Sequence, residues 1–534
     1  MVFSPSPQTA QPTNLSAFVG GINAAAPLFG MPAEDCIYSY NLNANEYGMS
    51  VRLGTDEWAN GLTGTGVKSI LPYNSSTPEL FSATNQGIWD ITTENVTTPT
   101  KVVTFSNVAE GAGQITSINY TNSAATWLLC SDELNGYHTY DGTNWDLIGG
   151  IAPVITLPGG LVDVTADIVF VMAWKKRLWF IVDGYSDAYY LPVDAVQGEL
   201  VLFRLSNKFQ QGGAPVGLWS WTIDSGAGVD DLLVALSEEG DCLIYSGIDP
   251  SSTEGIALIG SYYVGELPVG RRVAHGFGGD LIVLSTNGIL SLSSFLQGTP
   301  LETSSNYLTQ RIEKLVRESM IGQRNYYGWG LFVSPKDSTL IISTPINGDE
   351  RPIQFVMNTT TKSWGFWRDI PFVSGATWQD EFYIGSEDTN VFRYSGSVDN
   401  ANIDGSGGDD IEYSVLSSYL DYGSPATNKV VQYVRPTFRS GSIPSYSSRA
   451  LYDYDFSEIF YALPAGQGTS GAWQPGIPSS VWDTAVWAGA LSSSYSTLGS
   501  SGMGRTIAIA IRGNSATVTD LVDVNVMWTS GGMM

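Results

Sequence analysis

Three cysteines and two histidines in 534 residues leave little material for thiol or metal chemistry. Cys36, Cys130 and Cys242 are far apart, odd in number and never in a CxxC spacing, so they read as three reduced thiols on strand or helix faces rather than a disulfide or a zinc site. His138 and His275 stand in no metal-ligand spacing and beside no nucleophile motif, and GxSxG, GxxxxGK[ST] and HExxH do not occur. Basic residues are scarce as well: 25 Lys and Arg against 52 Asp and Glu give a net charge of −27. A surface that acidic repels nucleic acid and anionic lipid, which excludes binding of either through a broad basic patch. The clusters Lys175-Lys176-Arg177 and Arg271-Arg272 can act only locally. No stretch of about twenty apolar residues is there to span a bilayer. The first residues carry no early Lys or Arg and no long apolar run, so they do not read as a signal peptide, and the expected site of folding is a reducing cytoplasm.

What is present is β-structure. Hydrophobic residues make up 43% of the chain, aromatics 12%, and the 59 glycines suit many tight turns. Seven stretches repeat one pattern of apolar strand, short polar turn and second apolar strand: 80–92, 128–142, 178–191, 232–247, 281–294, 340–358 and 381–396. Their spacing of roughly fifty residues is that of propeller blades of four antiparallel strands. The expected fold is all-β, a β-propeller of six or seven blades with an inserted amphipathic helix, followed by a C-terminal antiparallel sheet or sandwich. The expected boundaries are 1–60 for an N-terminal arm, a short helix opened by Pro32 and a lead-in strand; 61–398 for the propeller; 399–410 for an acidic, Gly-rich linker; and 411–534 for the C-terminal β domain.

The helix is predicted over 304–320, with Leu308, Ile312, Leu315 and Val316 on one face, Ser304 or Ser305 as cap and Gly322 as stop. That face is a candidate assembly surface, its other role being to cover the propeller's own edge. Elsewhere the candidates read as structural. The acid pairs Asp230-Asp231, Glu238-Glu239 and Asp409-Asp410 are solvated turn residues, because neighbours on a strand point to opposite faces. Asn400-Ala-Asn402-Ile-Asp404-Gly405 imitates the start of a calcium loop, but Ile411 stands where the bidentate acid belongs. Trp145, Trp174, Trp179, Trp219, Trp221, Trp364 and Trp367 fall in or beside the repeat strands, where bulky rings fill space between blades. No catalytic residue, metal site or cofactor is assigned.

One resemblance adds to this. Residues 28–62, with Pro32, Asp35, Asn41, Gly48, Arg52 and Gly54, resemble the segment that precedes the propeller in tail proteins of short-tailed bacteriophages. The stretches MNTTTKSWGFWRDIPF and LSSYLDYGSPATNKVVQYVRPTFRSG are similar to the same group, the tail-nozzle or packaged-DNA-stabilisation proteins of podoviruses. The resemblance implies a homohexameric ring in the virion tail, assembled in the host bacterial cytoplasm. Such a ring continues the portal and adaptor channel, meets tail fibre or needle proteins, retains packaged DNA and opens for its release. It implies passage of double-stranded DNA without tight binding. The alternative function is a carbohydrate-binding or glycan-cleaving propeller acting at the host surface.

Overall fold

The computed structural model describes residues 10–224, 229–252, 255–293, 307–345, 353–402, 406–456, 491–495, 497–500 and 502–530. Each of the seven repeat stretches forms the middle hairpin of one antiparallel unit, flanked by an inner strand and, in most units, an outer one. Six units are sheets of their own, with inner strands Ser69–Tyr73, Ile115–Thr121, Ile168–Trp174, Pro215–Asp224, Ala274–Phe277 and Ser374–Trp378. A further four-stranded unit, Gly330–Ser334 through Trp364–Trp367, sits between the last two of these and belongs to a ten-stranded sheet. Numbered in chain order, this unit is blade 6 and the Ser374–Trp378 unit is blade 7. The ring closes when Thr55–Ala59 becomes the outer strand of blade 7, with Val391 opposite Ala59 and Tyr394 opposite Thr55.

Neighbouring blades enclose apolar clusters, because alternate side chains of a buried strand face the blade on either side. Trp179, Tyr190 and Leu233 fill the space between blades 3 and 4, and Trp367, Phe372 and Tyr394 that between blades 6 and 7. The hairpin turns meet the backbone conformations they need. Gly136, at φ 80°, lies so close to the next segment that a Cβ would stand 2.4 Å from the Thr165 carbonyl oxygen. Lys175 and Lys176, expected as a basic patch, form a two-residue turn with φ of 51° and 59°.

The expected short helix at Pro32 is a strand, Asp35–Tyr40. Its Ile and Tyr residues favour strand once tertiary partners exist on both sides. It pairs with blade 6 through Tyr40 and Phe366, and with Asp409–Ser417 on its other edge. Through this strand blade 6 continues into Ile507–Ser515 and Ser445–Tyr452. A second sheet, built on the long strands Lys429–Ser440 and Thr519–Ser530, packs face to face against that extension and makes a sandwich. Phe438, Val524 and Val526 meet Tyr413, Ile509 and Ile511 in one core. The propeller and the C-terminal region therefore share a sheet as well as a core. The segment expected as a linker begins with the pairs Val398↔Asp410 and Asp399↔Asp409, and residues 403–405 lie outside the described ones.

The helix is Glu313–Gln323, preceded by a turn of tighter helix at Gln310–Ile312. It starts later than predicted and runs past Gly322, which is an exposed residue of its last turn; Ser304 and Ser305 lie outside the described residues. Ile312, Val316 and Met320 are wholly buried between blades 5 and 6, and Leu308 and Leu315 pack beside them. The face considered for assembly is thus filled from within the chain, since an apolar stripe laid over the gap between two blades finds its partner there.

Candidate functional site

The inner strands of all seven blades line one axial cavity of about 1020 Å³. Five of the seven inner strands have five to seven residues, which at about 3.3 Å per residue makes the cavity wall roughly 15–20 Å tall. Its wall is apolar and aromatic, with Phe170, Met172, Trp219, Phe332 and Phe382 prominent. Small polar residues, among them Ser117, Asn119, Ser220 and Thr377, add a hydroxyl and amide fringe. Among the described lining residues there is no Asp or Glu.

Two arginines close one end. Both precede the inner strand of blade 5, so their side chains start from one wall and reach across the axis. Arg272 donates from Nη1 to the Lys68 carbonyl (2.8 Å), and from Nη2 to the Ile115 carbonyl (3.0 Å) and to Ser69 Oγ. It thereby ties blade 5 to blades 1 and 2, with its guanidinium 5.8 Å from the Phe332 ring centre. Arg271 donates from Nε to Glu133 in blade 2 (3.0 Å) and from Nη1 to the Pro215 and Val216 carbonyls in blade 4 (3.0 and 2.7 Å). Burial lowers the Arg272 pKa to about 10, against the opposing pull of Glu133 and Asp132. Glu133 is pushed above the usual carboxylate range by burial, with Arg271 pulling the other way. Half-buried Arg272 has no carboxylate at ion-pair distance among the described residues; only backbone and hydroxyl oxygens satisfy it. Three residues on, His275 also lines the cavity, with Nδ1 2.6 Å from the Gly276 carbonyl, and burial holds its pKa below the usual value.

The remaining candidates lie apart from this cavity. His138 Nδ1 is 2.8 Å from Asp146, half of a triad arrangement, but Nε2 is buried and meets no hydroxyl or thiol partner. Cys36, Cys130 and Cys242 are unpaired and buried. Lys175 pairs with Asp231 (3.3 Å), and Glu238, Glu239, Asp409 and Asp410 are exposed. Trp174, Trp179, Trp221, Trp364 and Trp367 are buried between strands, and Trp145 stacks on Tyr140. Trp219 is the one of the seven that faces the axis. Of the calcium-like loop, Asp404 and Gly405 lie outside the described residues; Asn400 bonds Asp409 and Asn402 bonds Ser406. Sequence reasoning gave Arg271-Arg272 only as a small basic cluster able to act locally. Their position before a blade's inner strand was the signal that they point to the axis.

The residues that carried the resemblance gather at the junction of propeller and sandwich. Arg52, wholly buried, holds Asp399 with two bonds (2.7 and 2.6 Å) and reaches Asn41 Oδ1 with Nε (3.1 Å). Asn41 also donates to the Glu412 carbonyl. Asp35 receives Asn23 (2.6 Å) and Arg311 (2.8 Å). At Gly48 and Gly54 a Cβ would fall 2.2 Å from the Leu521 carbonyl oxygen and 1.8 Å from that of Val398.

No family model matches the chain, and no curated protein does. Solved structures similar to it include the computationally designed Ika8 protein, at 11% identity and a TM-score of 0.34, covering 64% of this chain and 99% of that one. Raptor from Chaetomium thermophilum is similar at 10% identity and 0.37, over 64% of this chain and 29% of that one. The extracellular domain of BT3049 from B. thetaiotaomicron is similar at 15% identity and 0.37, over 67% and 45%. Likeness at this level carries no argument about activity.

Proposed function

We propose that the chain is a non-catalytic structural protein of a phage virion, one subunit of a homohexameric tail nozzle that continues the portal and adaptor channel, retains packaged DNA and opens for ejection. The observation that carries the reading is the junction. Pro32 apart, the residues resembling the nozzle proteins are buried or sterically confined where one sheet joins blade 6 to the sandwich, which makes the subunit a single stiff body suited to a load-bearing wall. The DNA path would run between subunits. The propeller's own bore is crossed by Arg271 and Arg272, which tie blade 5 to blades 1, 2 and 4. A ring requires two different matching patches on each subunit. Six copies at −27 each would carry about −162 charges, so apolar contact has to drive association. The outer strand of blade 4, Ile256–Tyr263, supplies a candidate patch, with Leu258, Ile259 and Tyr263 exposed at its edge.

Mixing the purified protein with its adaptor ring, followed by negative-stain microscopy and light scattering, tests the proposal. Six-fold rings with an axial channel are expected, and monomers alone would sink it. The glycan reading requires a carboxylate pair about a cleft, and the axial cavity offers none among its described lining.

A further inference from the structure

We propose that the axial cavity is a binding pocket for an amphiphile with one anionic head group and an apolar body, the head lying against Arg271 and Arg272. This stands independently of how the copies assemble. Three observations converge on it. The pocket is of ligand size, about 1020 Å³, and is walled mainly by apolar and aromatic side chains with a few polar groups, the make-up of small-molecule sites. In a chain where acids outnumber bases two to one, the described lining holds two arginines and a histidine and no acid; Glu133 pairs with Arg271 from outside the lining, and Arg272 has no carboxylate at ion-pair distance among the described residues. The arginines also retain donors. Nε of Arg272 and Nη2 of Arg271 have no hydrogen-bond partner among the described residues, while the other guanidinium nitrogens are fixed by carbonyls, Ser69 and Glu133.

The arrangement orders a ligand along the axis. Its head would meet guanidinium groups already held in place, which lowers the entropy lost on binding. Its body would lie along Phe170, Trp219, Phe332 and Phe382, displacing water from apolar wall. A carboxylate and a phosphate head satisfy the same donors, so the head group is left to measurement.

Isothermal titration of the full chain with decanoate and with decyl phosphate, below their micelle concentrations, tests this, with decanol as the uncharged control. One site per chain is expected, with decanol at least tenfold weaker; whichever anion binds more tightly names the head group. Arg271→Gln is expected to weaken the anions at least tenfold and decanol little. Ser220→Trp, at an exposed position of the channel wall, is expected to weaken all three, and it carries the test if Arg271→Gln does not fold. Failure of both anions to bind, decanol binding as tightly as they do, or unchanged affinity in Ser220→Trp would overturn the proposal.

Discussion

Arg52 has no exposed side-chain surface and faces a carboxylate, Asp399, that is nearly as enclosed. Removing one member of such a pair strands the other charge away from water, which typically costs about 3–5 kcal/mol. Arg52→Met is expected to lower stability by that amount in urea unfolding, and Arg52→Met with Asp399→Leu to recover much of it, because no unpaired charge remains. Half of this pair was legible: Arg52 stood out within Gly48-x-x-x-Arg52-x-Gly54. Its partner lies 347 positions away in a stretch that composition alone marks as linker, and only the closed ring brings the two together. The arginine bar has the same character, since two adjacent arginines on paper look like surface charge until seven inner strands surround them. His275 gives a pH signature. Burial lowers its folded pKa, so as pH falls through the unfolded value, about 6.5, the unfolded chain takes up the proton first and stability drops. His275→Gln should flatten that part of the melting temperature profile between pH 7 and 5 relative to the parent protein.

Among the elements, the seven hairpins were readable because each carries its own turn and its own pair of apolar strands, a purely local message. The Asp35–Tyr40 strand was not, because its acids after Pro32 imitate a helix start and both its partners are remote. The helix was recognised by its periodicity, while its limits and its burial were set by the gap between blades 5 and 6. Ile312→Asp should therefore cost several kcal/mol through an unpaired charge in the subunit core, seen as a lower melting temperature of the monomer. Ile321→Asp, on the exposed side of the same helix, should leave melting nearly unchanged. In blade 3 the turn residues Lys175 and Lys176 both adopt the left-handed region, which disfavours side chains by roughly 1 kcal/mol or more per residue. Lys176→Gly should raise stability by about 0.5–1 kcal/mol in the same assay, even with the greater freedom of glycine in the unfolded chain.

For the molecule as a whole, acidity and closure set its dealings with others. Affinity for phosphate comes chiefly from Lys and Arg releasing counterions, and Arg271 and Arg272 are turned inward. Filter binding at physiological salt is expected to show no tight complex with free duplex; submicromolar affinity with a steep salt slope would mean that basic side chains grip it directly. Ile259→Asp on the outer strand of blade 4 should block ring formation while the monomer keeps its melting temperature, as light scattering beside calorimetry would reveal. The pairing of Gln11–Ser16 with Thr519–Ser530, Gln11 opposite Trp528, has a bearing on biosynthesis. At roughly 5–20 residues per second, a ribosome delivers the partner of that first strand about half a minute to nearly two minutes after the strand itself emerges. Thr55–Ala59 likewise waits for Val391–Tyr394. Nascent blades can form in turn and the ring can close once Val391–Tyr394 has emerged, but the sandwich cannot be finished until translation is almost over, so for most of its synthesis the polypeptide presents unpaired strand edges to chaperones and to its own siblings on the same message.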